Sequence, residues 1–308
     1  MLDYKLLEAC AGVIRHGSFE KAARDLGLTQ SAMSQRVKLL EDRLGQPVII
    51  RSKPIAATAA GQRLLQHYQR VRLLEQELQD NLPELTGGGG GAAFGNIALA
   101  VNADSLATWF VDVPKRLFED LNLLVDLTVQ DETLTVDEVQ AGTVLAAIST
   151  RSVPIQGCKV MALGMMRYIM VVSPGFAQRF FANGVTPDAL RACPAVHFSR
   201  HDELQNQFFK QFFGLEPGEF PAHTVPSSQG FVTVAEQGIA YAVVEEHQAQ
   251  DALAQGRLIR PCPHVIERPL FWHHWNMDSV LLRRVNDIVR DEARRFLPQI
   301  SGGISGRI

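Results

Sequence analysis

Membrane spans, secretion signals and disulfide frameworks are all missing from this sequence. Its 308 residues hold no apolar run near the roughly 18 residues that cross a bilayer. The start of the chain carries Asp3 and Glu8 and lacks the basic segment of a signal peptide. The four cysteines are scattered without a Cys-x-x-Cys pair, so neither a zinc site nor a disulfide framework is expected. We therefore expect a cytoplasmic protein with no membrane partner.

Catalytic signatures are missing as well. The sequence has no His-Glu-x-x-His, no Gly-x-Ser-x-Gly and no supported Ser-x-x-Lys motif. His273 and His274 are adjacent on a predicted strand and so point to opposite faces, which does not suit a shared metal ion. We predict no catalytic residue, no metal and no cofactor, and an enzyme is a remote alternative.

Positive charge is concentrated at the N-terminal end of the chain. Residues 1–72 contain 12 Lys and Arg against 6 Asp and Glu, whereas the remainder contains 18 against 27. A basic segment attached to an acidic body indicates an N-terminal domain that faces a polyanion. Chance segregation of surface charge is the alternative, so the charge balance alone decides little.

The first seventy residues have the periodicity of a small helical domain. Apolar spacing predicts a helix that ends near Arg15, a short helix Ser18–Leu26 and a longer helix Gln30–Leu44. Gly27 ends the second helix and Thr29 caps the third. A tight turn between two helices, the second of them longer, can place that second helix in the DNA major groove. The run 48–50 then predicts a short strand, followed by a basic turn that would form a wing.

The residues expected to contact DNA lie around this turn, on the long helix and in the wing. We expect glutamine and serine side chains to read base edges and the cations to contact phosphates. They are Ser18, Thr29, Gln30, Ser31, Ser34, Gln35, Arg36, Lys38, Arg51, Lys53 and Pro54. The alternative is a helical bundle in which the same residues form an ordinary solvated surface.

The stretch 19–45 resembles the winged helix-turn-helix of LysR-type transcription regulators. The similarity rests on the paired alanines Ala22 and Ala23, on Thr-Gln-Ser-Ala-x-Ser at 29–34 and on Leu-Glu-x-x-Leu-Gly at 40–45. Thr58 and Gly61 complete the pattern. The resemblance implies a regulator that binds a double-stranded DNA operator, works as a homodimer or homotetramer and acts with RNA polymerase.

A linker follows the predicted DNA-binding domain. Thr58 caps an amphipathic helix of about 25 residues, whose apolar seam consists of Leu64, Tyr68, Val71, Leu74 and Leu78. This seam either packs on its own domain or, as the resemblance implies, pairs with a second subunit. Gly87–Gly91 then forms a flexible hinge, because five glycines hold neither helix nor strand. A phosphate-binding loop is not supported, since no lysine follows.

From Asn96 onwards short apolar strands alternate with helices, which predicts an α/β domain with a parallel sheet. The predicted strands are Ile97–Val101, Val125–Val129, Leu145–Ser149, Arg167–Ser173, Ala195–His197, His223–Val225, Ile239–Val243 and Leu270–Trp275. Helices are predicted from or near Ser105, Thr133, Gly175, Pro187, His201, Ser228 and His247, with Asp278–Phe296 closing the chain. Two such lobes crossed twice by the chain resemble the periplasmic-binding-protein-like sensor of the same family.

A ligand is expected at the carboxyl ends of these strands, where open α/β sheets bind small molecules. The candidate ligand-binding residues are Asn102, Asp104, Ser105, Asp131, Glu132, Thr150, Ser199 and Ser228. Hydroxyl groups suit a carboxylate and the three acids suit a cation, so the set predicts a zwitterion with an extra positive charge. Each Asp or Ser that precedes a helix has a helix cap as its alternative role.

A closer resemblance joins the chain to the ArgP/LysG branch of the LysR family. It rests on Asn-Ala-Asp-Ser-Leu-Ala-Thr-Trp at 102–109 and on shorter matches such as Phe-Trp-His-His-Trp at 271–275. The branch implies L-lysine or L-arginine as effector and an amino-acid exporter gene as target. The glycine run at 87–91 departs from the branch pattern, which puts the length and stiffness of the linker in doubt.

These observations predict three domains and leave one alternative function. The domains are a winged helix-turn-helix at 1–58, a linker and dimerisation helix with its glycine hinge at 59–91, and a two-lobed effector-binding domain at 92–308. The alternative is an oligomeric, nucleoid-type DNA-binding protein that has no basic amino-acid ligand. The sequence does not distinguish lysine from arginine, and it reveals neither the operator nor the sign of regulation.

Overall fold

The structure, a computed structural model, describes residues 2–52, 55–81, 94–129, 135–199 and 202–299. In this part of the chain no helix combines the length and apolarity of a membrane span. The chain forms two compact units, each made of three segments. The first unit contains Met1–Val101, Pro114–Met161 and Trp272–Ile288, and the second contains Asn102–Val113, Ala162–Phe271 and Val289–Ile308. The predicted glycine hinge lies outside the described residues.

Three helices open the first unit. They are α1 (Tyr4–His16), α2 (Phe19–Asp25) and α3 (Gln30–Leu44). The hydroxyl oxygens of Ser18 and Thr29 cap α2 and α3 by accepting backbone N–H groups at 3.4 and 3.1 Å. Ala22 and Ala23 are buried in the shared core, where their small size lets the three helices pack closely. The helix-turn-helix predicted from the sequence is confirmed.

A small wing follows α3. Strands β1 (Ile49–Ile50) and β2 (Ala56–Ala57) pair antiparallel, with Ile49 opposite Ala57. The carboxylate of Glu41 on α3 accepts hydrogen bonds from the backbone N–H of Val48 and from the guanidinium of Arg51, both at 3.0 Å. One acidic side chain of α3 therefore fixes the start of the wing.

The linker helix α4 (Ala59–Asn81) starts against the base of the wing. The hydroxyl of Thr58 donates to the Pro47 carbonyl at 2.9 Å and accepts the Gly61 N–H at 3.1 Å. A Cβ atom at Gly61 would overlap the carbonyl oxygen of Val48. The Thr58 and Gly61 pair thus has a steric reason, since only glycine leaves room for that carbonyl.

The apolar seam of α4 divides between two environments. Tyr68 is buried in the helix-turn-helix core, Leu64 packs against that core, and the neighbouring Leu65, which was not assigned to the seam, is buried there too. Leu74 and Leu78 are 47% and 49% exposed. The first half of the helix therefore packs on its own domain, which was the alternative to dimerisation, and only the second half presents leucines to solvent.

The first unit also holds a parallel sheet. Its strands β3 (Gly95–Val101), β4 (Leu123–Val129) and β5 (Ala146–Ser149) are arranged with β3 in the centre. The helix predicted from Ser105 is in fact two helices separated by a turn. They are α5 (Ala103–Ala107), which belongs to the second unit, and α6 (Asp112–Leu121), most of which belongs to the first. Helix α7 (Thr135–Ala141) follows β4.

The second unit contains a mixed sheet, so the purely parallel sheet expected from the sequence is wrong. Strands β6 (Cys158–Val171), β9 (Ala242–Glu245) and β10 (Val265–Trp275) lie in the order β10-β6-β9. Strand β6 pairs antiparallel with β9, with Tyr168 opposite Glu245. Strands β7 (Ala195–His197) and β8 (Ala222–Thr224) form a separate parallel pair.

The remaining helices are mostly short and close the second unit. They are α8 (Pro174–Phe180), α9 (Pro187–Arg191), α10 (Glu203–Phe213), α11 (Ser228–Glu236), α12 (Gln250–Ala254) and α13 (Val280–Phe296), the last passing from the first unit into the second. Strands β6 and β10 start earlier than predicted and β9 starts later. The predicted class, an α/β chain with an N-terminal winged helix-turn-helix and a two-lobed sensor domain, is confirmed.

Candidate DNA-binding and effector sites

The first turns of α3 carry a polar outer face and an apolar inner face. Met33 and Val37 are buried on the core side. The exposed polar residues are Gln30, Ser31, Gln35 and Lys38, with Ser34 and Arg36 half-buried beside them. A helix with this division can enter a major groove without disturbing its core.

Three of the other predicted DNA-contact residues already have partners within the chain. Ser18 and Thr29 act as helix caps, although each hydroxyl keeps a proton that can be donated to a phosphate. Arg51 is paired with Glu41 and its guanidinium lies 5.8 Å from the centre of the Phe19 ring. Lys53 and Pro54 lie outside the described residues.

Two of the predicted effector residues, Asp104 and Ser228, are in contact in the second unit, and the carboxylate of Asp104 has two further partners there. Tyr168 donates its hydroxyl to Asp104 Oδ2 at 2.9 Å. Ser228 donates its hydroxyl to Asp104 Oδ1, and the side-chain amide of Gln248 lies 3.4 Å from the same oxygen. The amide of Gln248 also donates to Ser228 Oγ at 2.8 Å. We name these four residues the Asp104 cluster.

The hydroxyl of Ser228 is available to Asp104 because the preceding residue caps the helix. The cap of α11 is its neighbour Ser227, whose hydroxyl oxygen accepts the Gly230 N–H at 3.1 Å. Ser228 is therefore released from capping and turns its hydroxyl to Asp104. The alternative role as a helix cap therefore applies to Ser227 and not to Ser228.

Asn102 and Ser105 flank Asp104 in the chain and are buried. They are 4% and 0% exposed, and their side-chain oxygens have no hydrogen-bond partner within the described part of the protein. The side chain of Asn102 precedes α5 without capping it. Because burying an unpartnered polar atom costs free energy, these two oxygens are candidates for contact with a polar ligand.

Two of the remaining predicted ligand residues lie in the described part of the chain. Thr150 is half-buried after the end of β5 in the first unit, and Ser199 is exposed in the second. Asp131 and Glu132 lie outside the described residues. Two of the three predicted acids therefore have no structural account, and Asp104 is the acid that the structure places in a polar cluster.

Two members of the Asp104 cluster were missed by sequence reasoning. Tyr168 lies within an apolar strand and is only 1% exposed. A hydroxyl in an otherwise apolar strand needs a buried partner, and this signal could have identified it. Gln248 lies in a 3₁₀ turn, Glu246–Ala249, and nothing in its local sequence distinguishes it from a surface glutamine.

A second acidic side chain, Asp202, lies in the second unit. It is 9% exposed, and its carboxyl group accepts the backbone N–H groups of Phe198 and Gln205 at 2.7 and 3.1 Å. Burial, the largest influence, raises the pKa of Asp202 above its usual value, while the two backbone hydrogen bonds lower it. Burial therefore makes this acid harder to ionise than a carboxyl group in water.

Two cysteines, Cys10 and Cys193, and one histidine, His273, are buried in the described part of the protein. Burial raises the pKa of both Cys10 and Cys193 to about 12, which keeps them as unreactive thiols at neutral pH. His273 is fully buried and its Nε2 lies 2.7 Å from the carbonyl oxygen of Arg151. These surroundings provide no activated nucleophile.

A winged helix-turn-helix joined to an α/β domain with a polar strand-end site defines a DNA-binding regulator that responds to a small molecule. Residues 4–62 match the family model of bacterial regulatory helix-turn-helix proteins of the lysR family, and residues 95–294 match the LysR substrate binding domain. The chain belongs to the LysR family of transcription regulators. It is a ligand-responsive regulator and not an enzyme, as the sequence predicted.

Similar proteins extend over the whole chain. It is 45% identical to the HTH-type transcriptional regulator ArgP of Aeromonas salmonicida over 96% of this chain and 98% of that protein. Among solved structures, ArgP of Mycobacterium tuberculosis superposes with a TM-score of 0.78 at 36% identity, covering 97% of this chain and 100% of that one. The full-length LysG of Corynebacterium glutamicum with bound effector Arg has a TM-score of 0.72 at 30% identity, covering 96% and 100%. The resemblance to the ArgP/LysG branch is confirmed.

Proposed function

We propose that this regulator senses a basic amino acid, L-lysine or L-arginine, and controls an amino-acid exporter gene. The observation that carries the proposal is the Asp104 cluster, which holds a partly exposed carboxylate in a fixed orientation. The similarity to LysG, whose structure contains bound Arg, supports the same class of ligand.

The hydrogen bonds of Asp104 leave room for a cationic ligand. An ionised carboxylate offers about four acceptor positions. Among the described residues, Tyr168, Ser228 and Gln248 supply three donors, which leaves one position for an ammonium or guanidinium group. The oxygens of Asn102 and Ser105, which have no partner among the described residues, can contribute further polar contacts.

The remaining predicted ligand residues belong to the same proposal. We propose that Asp131, Glu132, Thr150 and Ser199 complete the effector site, with the acids on the cationic end and the hydroxyls on the carboxylate of the amino acid. Lysine and arginine share a charge but differ in shape and donor geometry, so these residues decide between them.

Thermal unfolding in the presence of free amino acids tests the proposed ligand. At about 100 times the dissociation constant, a ligand that binds the native state adds roughly 2.7 kcal/mol of stability. We expect a higher unfolding temperature with L-lysine or L-arginine and no change with L-leucine. No shift with either basic amino acid would reject the proposed ligand and favour the nucleoid-type alternative, which binds DNA without a small-molecule response.

We propose that Gln30, Ser34 and Gln35 read bases. We propose further that the cations contact phosphates, namely Arg36, Lys38, Arg51 and Lys53, and that Ser18, Thr29, Ser31 and Pro54 support the docking. The exposure of Gln35 and Lys38 on one polar face of α3 supports this division. Gln35 and Lys38 therefore form a matched pair for an experiment, because both side chains are long and exposed.

Gln35→Ala should relax sequence preference, whereas Lys38→Ala should weaken binding to all DNA. Loss of a base contact costs about 1–3 kcal/mol at one operator position. Loss of a phosphate contact lowers the slope of log affinity against log salt by about 1. Titrations of operator and scrambled DNA at several salt concentrations measure both effects. An equal loss on both DNAs for Gln35→Ala would contradict a base-reading role.

We propose that the protein assembles as a homodimer or homotetramer through the exposed half of α4. Leu74 and Leu78 are one turn apart and about half exposed, so a second copy of the helix can cover them. Such a dimer would present two α3 helices about one DNA turn apart. Sedimentation of Leu74→Glu/Leu78→Glu should show the monomer mass, and an unchanged mass would reject this surface.

The family resemblance supports two further partners and a location. We propose that the DNA-bound oligomer contacts RNA polymerase and that the protein acts in the cytoplasm, where chromosomal DNA is accessible. An effector can shift the equilibrium between two DNA-bound arrangements of the oligomer. The size of the shift is limited by the difference between the binding free energies of the effector for the two arrangements. Co-purification of polymerase with the operator-bound protein, with and without effector, tests the contact.

A further inference from the structure

Glu245 is a buried carboxylate at the end of β9 in the second unit. It is 1% exposed. Its Oε2 atom accepts the backbone N–H groups of His247 and Gln248 at 3.0 and 3.2 Å, and its Oε1 atom lies 2.7 Å from Nδ1 of His247. A buried carboxylate is costly unless such donors surround it, so the adjacent 3₁₀ turn must close around Glu245.

The same turn carries Gln248 into the Asp104 cluster. The backbone N–H of Gln248 is held by Glu245, while its side-chain amide donates to Ser228 and lies 3.4 Å from Asp104. One residue therefore connects a buried acid to the proposed effector site. A change in the direction of this backbone N–H would move the amide relative to Asp104.

We infer that Glu245 is a positioning residue for the effector site and acts through Gln248. The inference rests on the proposed function, in which a cationic amino acid binds at Asp104. Glu245 does not touch the ligand. It fixes the turn so that the amide of Gln248 orients Asp104 and Ser228 before the ligand arrives, which reduces the cost of ordering the site on binding.

The turn requires an acceptor oxygen at position 245. The backbone N–H groups of His247 and Gln248 both donate to the Oε2 atom of Glu245. Glu245→Leu keeps much of the volume of the side chain but removes both oxygen atoms. The two backbone N–H groups then lose their acceptor, and the turn is no longer held in place.

A double-mutant cycle on effector binding tests the inference. Calorimetric titration of L-lysine and L-arginine is carried out on the full-length wild type, Glu245→Leu, Gln248→Ala and the double variant. We expect each single variant to bind about 10-fold more weakly, and the double variant to bind no more weakly than Gln248→Ala. Coupling of this kind is the signature of residues that act through one another.

Two outcomes would overturn the positioning role. One is an affinity that Glu245→Leu leaves unchanged. The other is an equal loss from Glu245→Leu in the wild-type and Gln248→Ala backgrounds, which would mean a general structural role. If the wild type binds neither lysine nor arginine, the proposed function fails and the inference fails with it. These results are distinguishable because the first two require a wild type that binds.

His247→Phe provides a second test that keeps the fold of the turn. The ring of His247 lies 4.1 Å from the ring of Phe296, and a phenyl ring can occupy the same place. This variant removes the donor to Oε1 but leaves both backbone N–H groups on Oε2. We expect effector affinity within about 2-fold of the wild type. A 10-fold loss would show that Glu245 acts through His247 instead, and would overturn the inference.

Discussion

Asp104→Asn should weaken the binding of the basic amino acid by about 10- to 100-fold. The substitution preserves the shape of the side chain but removes its negative charge and turns one acceptor into a donor that faces Tyr168 or Ser228. A hydrogen bond to a charged group contributes about 1.5–3 kcal/mol, and 1.4 kcal/mol corresponds to a tenfold change in affinity. Calorimetric titration of L-arginine and L-lysine measures the change.

Asp251→Asn is the matched control for this substitution. Asp251 is an exposed residue on α12 of the same unit, so its replacement removes the same charge away from the Asp104 cluster. We expect wild-type effector affinity for the control and wild-type affinity of both variants for operator DNA without effector. If both variants lost effector affinity equally, only net charge would matter, and the assigned role of Asp104 would be wrong.

Gly61→Ala should destabilise the DNA-binding part of the protein by about 3 kcal/mol and abolish operator binding. The added Cβ would overlap the carbonyl oxygen of Val48, which is backbone and cannot rotate away. Overpacking in a well-packed region costs about 1–3 kcal/mol, and displacement of the wing adds to this cost. Denaturant unfolding and operator titration measure the two effects, while effector affinity should stay near the wild-type value.

Gly175→Ala provides the control for the same chemical change in a helix. Gly175 lies in α8, is exposed, and a Cβ built there meets no neighbouring atom within 4 Å. Alanine has the higher helix propensity, so we expect stability that is unchanged or raised by up to about 1 kcal/mol. An equal loss of stability in the two variants would contradict the steric explanation for Gly61.

The helix-turn-helix was predictable because its signals are local. Ser18 and Thr29 cap helices through atoms three residues away, and the apolar spacing of α3 is visible within fifteen residues. The positions of the strands after residue 96 were also predictable, because the strands are apolar runs. The boundaries of these strands and their directions in the sheet were harder to predict. The antiparallel pairing of β6 with β9 depends on residues about seventy positions apart, and no local pattern contains that information.

The candidate effector site shows the same division between local and long-range information. The chain motif at 102–105 and the serine at 228 identified two sides of the site, because polar residues follow apolar strands at those points. Tyr168 and Gln248 could not be assigned in this way, since each becomes part of the site through a contact with a residue 64 or 144 positions away.

The sequence by itself determined the family, the helix-turn-helix and the excess of acidic residues after residue 72, because these depend on residue types and on spacing within a few turns. Only the tertiary structure decided which acid has a polar cluster around it, which half of the linker helix is exposed and why Gly61 must lack a side chain. The physical reason is that burial and hydrogen-bond pairing are properties of atoms brought together from distant parts of the chain.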